Sequence, residues 1–254
     1  MCLRSVALAG LACVCLAEAC SATVLTFDTG VASPQIFPTS YGNRVGDPNT
    51  AQPLQFAYGS DGGVTPNVNV IYSPLLRMGG SGNPFDAQRV FGDLSNVIYR
   101  DASGGLEPGI LQISFVADPG YEVCLHSFDL AATYNSITGQ GEDLAARSIK
   151  VLAQGGVPLV NLDYNVNPAS TLVPGTAPLR HRHFDFEAAP LCSTMVTIRI
   201  DLNNYITIGG SKVDRFGIDN IKISQRVIPT PGAGALLALA TCIVTLGRRR
   251  RAHA

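Results

Sequence analysis

Apolar and polar residues alternate over short stretches along much of this chain. In "STMVTIRIDL" (193–202), Val196, Ile198 and Ile200 fall on one side, and Thr197, Arg199 and Asp201 on the other. That period of two is the signature of a half-buried strand. Comparable runs are "TVLTFD" (23–28), "SNVIYR" (95–100), "ILQISFVA" (110–117), "YEVCLHSFDLAATY" (121–134), "RSIKVLAQ" (147–154), "VPLVNLDY" (157–164), "HRHFDF" (181–186) and "FGIDNIKIS" (216–224). A polar, turn-rich stretch runs from "TVLTFD" to about residue 90, broken by "LQFAY" and "NVNVIY". Turn chemistry separates the runs, at Asp118-Pro119-Gly120, Gln154-Gly155-Gly156 and Ile208-Gly209-Gly210. Only "GEDLAARS" reads as a helical turn. The pattern predicts an all-β fold, an antiparallel β-sandwich of jelly-roll type with roughly ten strands.

The two ends follow another pattern. "MCLRSVALAGLACVCLAEACSA" has an early arginine, Arg4, then an apolar core from about Val6 to Leu16, then small residues. That is the layout of a secretory signal peptide. Cleavage fits after Ala19 or after Ala22; the second is preferred because "TVLTFD" then opens the mature chain. Lipidation at Cys20 is the competing reading, which Ala17 and Glu18 fit poorly. At the other end, Ala233 to Gly247 carry no charge, and Arg248, Arg249, Arg250 and Arg251 follow. A run this short is at the low end for a membrane span, which takes about 20 residues. The arginines would stay on the cytoplasmic side. The expected organisation is a signal peptide (1–22), an extracellular domain (23–224), a linker (225–232) and a C-terminal apolar helix with its arginine cluster (233–251).

The order Pro229-Thr230-Pro231-Gly232, apolar run, arginine cluster resembles the PEP-CTERM sorting signal of exported bacterial proteins. Thr230 stands where that family has Glu. The resemblance extends into the body, through Gly92-Asp93-Leu94, Asn96-Val97, Asp118-Pro119-Gly120-Tyr121, Ser127-Phe128-Asp129-Leu130 and Ile218-Asp219-Asn220-Ile221. It implies a secreted sandwich held transiently in the inner membrane by its tail. It also implies a partner, an exosortase-type processing enzyme that reads the tail on the way to the surface. It implies no chemistry, since sandwiches host many functions.

Composition narrows this further. Without the two terminal signals, 13 basic and 18 acidic residues remain. A body of that balance has no basic patch, so nucleic acid is not an expected partner. Of seven cysteines, Cys2, Cys13, Cys15 and Cys20 belong to the signal peptide and Cys242 to the tail. Cys124 and Cys192 remain, either as one disulfide in an oxidising compartment or as two separate buried thiols.

Candidate chemistry is sparse. The body has three histidines, His126, His181 and His183, and no Gly-x-Ser-x-Gly elbow. Glu107, Glu122, Glu142 and Glu187 are scattered, and no acid–nucleophile pair stands out. The chain therefore reads as non-enzymatic. "HRHFDF" places His181, His183 and Asp185 on one face and Arg182, Phe184 and Phe186 on the other. Two such imidazoles can share a zinc ion; a solvated polar face over a Phe-lined core is the preferred reading. No cofactor is expected beyond a structural calcium, for which Asp28 and Asp219 are the candidate ligands.

The leading function is a structural or adhesive surface or extracellular-matrix protein. The alternatives are a carbohydrate-binding module that holds extracellular polysaccharide on Tyr58, Tyr72, Tyr134 or Tyr164, and a secreted hydrolase.

Overall fold

The computed structural model describes residues 22–27, 38–50, 58, 63–74, 76–80, 89–91, 94, 96–100, 110–135, 140–141, 148–163, 181–201, 206–208, 211–213 and 216–229. In chain order the strands are β1 (Thr23–Leu25), β2 (Val68–Tyr72), β3 (Leu76–Gly80), β4 (Arg89–Phe91), β5 (Asn96–Arg100), β6 (Ile110–Ala117), β7 (Tyr121–Asn135) and β8 (Gln140–Gly141). They continue with β9 (Ser148–Ala153), β10 (Pro158–Asp163), β11 (Arg182–Asp185), β12 (Leu191–Ser193), β13 (Met195–Asp201), β14 (Ile206–Ile208), β15 (Ser211–Val213) and β16 (Phe216–Val227).

Two antiparallel sheets carry the fold. One runs β10-β9-β13-β6-β2. The other runs β11-β7-β16-β5-β3, with β1 added to β16 and β4, β8 and β12 added to β7. The alternation explains why they pack. Leu111, Ile113 and Phe115 of β6, Ile149 and Val151 of β9, and Val196, Ile198 and Ile200 of β13 are buried. They share one core with Leu25, Val123, Leu125, Phe128, Leu130, Ile218, Ile221 and Ile223 from the second sheet. The chain is thus an all-β sandwich in which each sheet presents its apolar face to the other.

Three features position the candidate sites. First, the turn after β6 takes the chain from one sheet to the other. Tyr121 N–H donates to Asp118 O at 3.0 Å, Gly120 has φ +90°, and Arg44 holds the Asp118 carboxylate at 2.6 Å. Second, the expected single strand 193–202 breaks at Thr194. Leu191–Ser193 pairs with β7, and Met195–Asp201 pairs with β6 and β9. Third, the β7–β16 register is irregular. Asp219 faces Asp129, Lys222 faces Ser127, and Ile223 faces Leu125. His126 is therefore an extra residue on β7, and Asn220, at φ +49°, is extra on β16. The two bulges offset each other. Apolar residues stay inward on both sides of the break, while the outer face gains crowded polar groups.

Several sequence expectations differ from the structure. Strands β3, β4, β8, β14 and β15 were not legible, because Gly-rich or very short segments such as "LRMGG" carry no alternation. Tyr58, the one described residue of "LQFAY", is a core side chain 6% exposed. The free edge of β2 is capped by the loop at 38–50: Arg44 N–H donates to Val68 O at 2.8 Å, and Val70 N–H to Asn43 Oδ1 at 2.5 Å. The expected signal peptide (all but Ala22), the expected C-terminal helix and nearly all of "GEDLAARS" lie outside the described residues. Among the described residues, no helix is long and apolar enough to cross a membrane.

Candidate functional site

The outer face of the β7–β16–β11 sheet holds the polar side chains that the double bulge brings together. At its centre His126, about one-sixth exposed, links two elements. Its Nε2 lies 2.8 Å from Ser224 Oγ on β16. Its Nδ1 lies 3.1 Å from Glu187 Oε2, in the turn between β11 and β12. An ionised carboxylate can only accept, so Nδ1 carries the proton and donates to Glu187. Nε2 is then free to accept from the Ser224 hydroxyl. Lys222 Nζ bonds the other Glu187 oxygen at 2.5 Å. That hydrogen bond, and then the charge of Lys222 and the hydrogen bond from His126, hold the Glu187 carboxyl below its ordinary value. Lys222 and Arg226 lie two residues either side of Ser224, with Ile223 and Gln225 buried between them, so all three face outward. Arg226 is paired with Glu122, directly opposite on β7.

A second cluster lies one step along the same strands. Asp129 is buried, and Asp219 faces it in register. Like charges directly opposed on neighbouring strands are unfavourable, and donors around Asp129 offset this. His183 Nδ1–H donates to Asp129 Oδ1 at 2.6 Å. Asn220 Nδ2 donates to Oδ2 at 2.8 Å. His181 Nε2 stands 3.6 Å from Oδ1. The unusual backbone of Asn220 serves this arrangement, and its own N–H is held by Asp219 Oδ1 at 2.7 Å.

The metal readings of the sequence fall on this cluster. His181 and His183 do lie together, both against Asp129. Phe184 points the other way, buried and stacked on Phe128 at 4.8 Å. Among the described residues, no three His, Cys, Asp or Glu side chains are placed to hold a metal ion. Asp219 is engaged with Asn220; Asp28, its proposed calcium partner, lies outside the described residues.

Comparison with known proteins adds little. No family model matches the chain. No curated protein matches it either. Among solved structures, an arabinose-bound GH51 α-L-arabinofuranosidase aligns with 10% identity and a TM-score of 0.33. The alignment covers 81% of this chain and 27% of that one, so the chain spans about a quarter of the enzyme's length. A likeness at that level carries no argument about function.

Cys124 and Cys192 face each other on β7 and β12 and are joined as a disulfide. Pro229 is exposed just past the end of β16, where Ile228 N–H still bonds Gly120 O at 2.9 Å. Thr230, Pro231, Gly232 and Arg248 to Arg251 lie outside the described residues. Of the candidate tyrosines, the described Tyr58 and Tyr72 do not form an exposed platform. Tyr58 stacks on Tyr41 in the core at 5.3 Å. Tyr72 is turned inward, its hydroxyl donating to Tyr41 O at 3.0 Å. Burial pushes the Tyr41, Tyr58 and Tyr72 phenols up. The side chain of Tyr134 and the whole of Tyr164 lie outside the described residues.

Sequence reasoning passed over Ser224 entirely and left His126 and Glu187 among the scattered polar groups. Glu187 and Ser224 lie 61 and 98 positions from His126, on no motif. A histidine at a strand position flanked by Leu125 and Ser127 carries no local signal of a bulge. Only the pairing of β7 with β16 reveals it.

Proposed function

We propose that this chain is an exported surface or extracellular-matrix protein. Its jelly-roll-type sandwich is a structural or adhesive module, sorted by a PEP-CTERM-like tail. The observation that carries this reading is the ordered set of segments around one sandwich. A stretch with the layout of an export signal precedes β1, and Pro229-Thr230-Pro231-Gly232, an uncharged run and four arginines follow β16. The exposure of Pro229 directly beyond β16 supports it, because a processing enzyme needs the motif clear of the folded body. The Cys124–Cys192 bridge suits an oxidising compartment.

In this reading the tail is an address. The uncharged run is short and rich in Gly and Ala, so it anchors weakly. The arginines halt export, since each costs about 2.5–3.5 kcal/mol at the bilayer centre. The test is cell fractionation with intact-mass analysis of two variants. With Pro229 and Pro231 replaced by alanine, the protein stays in the inner membrane at full length. With Arg248 to Arg251 replaced by serine, it passes through unprocessed. If both variants reach the surface at the parental mass and amount, the tail is not a sorting signal.

A further inference from the structure

Ser224, His126 and Glu187 are connected in the order hydroxyl, imidazole, carboxylate, at 2.8 and 3.1 Å. This is the connectivity of a nucleophile, its general base and the group that orients the base. The orientation follows from chemistry. Glu187 fixes the Nδ1–H tautomer, and only that tautomer leaves Nε2 with a lone pair toward Ser224 Oγ. The set is held on rigid elements. Ser224 lies in the long β16, paired with Cys124 of β7. His126 is one residue from the buried Leu125, and Glu187 is in a turn whose Phe186 N–H donates to His126 O at 2.7 Å. Glu187 N–H itself donates to Asp185 Oδ1 at 2.8 Å. The triad is reachable, since Ser224 is half-buried and Glu187 is 45% exposed at its side chain.

We propose that this triad hydrolyses carboxylic esters of short acyl groups. Ser224 Oγ attacks the acyl carbonyl carbon while its proton passes to His126 Nε2. The carbonyl oxygen becomes an oxyanion, and the imidazolium is stabilised by Glu187. Collapse breaks the acyl–oxygen bond, and His126 returns the proton to the leaving alcohol. Water, deprotonated by the same Nε2, then cleaves the acyl-serine to the acid and restores Ser224. The balance is ester and water to acid and alcohol, with no further reactant. Lys222 and Arg226 lie on the same strand face either side of Ser224, each ion-paired, to Glu187 and to Glu122 respectively. The site lies on a sheet face with an exposed carboxylate at its rim. It therefore suits an acyl group displayed on a larger carrier.

This goes beyond the sorting reading and stands or falls separately from it. The test uses the purified full-length chain in detergent, with a fluorophosphonate probe and p-nitrophenyl acetate. The expected results are a single phosphonyl adduct on Ser224 by peptide mass spectrometry and ester turnover above the buffer rate. Turnover falls at least about 100-fold in Ser224→Ala and His126→Asn, with the disulfide and melting temperature retained. Glu187→Gln, a positioning change, lowers kcat and leaves KM unchanged. An adduct absent from Ser224, or Ser224→Ala turning over ester as fast as the parent, overturns the proposal. Should the variants fail to fold, the adduct on the unmutated chain decides.

Discussion

Removing the Cys124–Cys192 bridge should destabilise the sandwich by a predictable amount. The two residues are 68 positions apart. In the chain-entropy treatment, closing a loop of that length in the unfolded ensemble contributes about 4 kcal/mol at 25 °C. A domain of this kind has on the order of 5–15 kcal/mol in total, so the loss is a large share of it. The native side of the balance changes little, because β12 stays on β7 through the Leu191–Leu125 and Ser193–Val123 pairs. It is also at β12 that the chain leaves this sheet for the other, through Thr194. The bridge thus pins the crossing that the strand pattern alone does not mark. The perturbation is the double substitution Cys124→Ala/Cys192→Ala, and the assay is urea unfolding followed by far-UV circular dichroism. The midpoint should fall while the slope holds or rises slightly, since the freed chain exposes as much surface or more. A loss under about 1 kcal/mol, or free-thiol labelling of both cysteines in the native parent, refutes the reasoning.

Two further outcomes are expected. Phe128→Ala removes a fully buried ring that stacks on Phe184 at 4.8 Å and meets Phe186 at 6.3 Å; it should cost about 3–5 kcal/mol in the same unfolding assay. The Glu187 carboxyl is depressed in the folded state by Lys222 and His126, so its stabilising contribution is present above the ordinary carboxylate value and is lost as pH falls through the lowered one. Glu187→Gln should therefore be less stable than the parent near neutrality and equal to it once the pH has fallen below the lowered value, and a gap that persists at low pH would show that the carboxylate's charge is not the cause.

Local pattern determined the fold class. Period-two alternation in β6, β9 and β13 places Ile113, Val151 and Ile198 on one face, and the hydrophobic effect then requires a second sheet to cover them. The turn at Asp118-Pro119-Gly120 was legible for the same reason, since its φ demands are local. His181 and His183 were correctly put on the face opposite Phe184, because adjacent strand residues must alternate. The sequence could not say which strand lies beside which. Pairing is a long-range choice, settled by the whole core at once, and it alone sets Asp219 against Asp129 and Cys192 against Cys124. It alone forces the two bulges at His126 and Asn220, which keep apolar residues inward across a break in register. A bulge has no residue signature on either strand; it is a mismatch between two strands. The Ser224–His126–Glu187 set is a product of that mismatch, so it exists only in three dimensions.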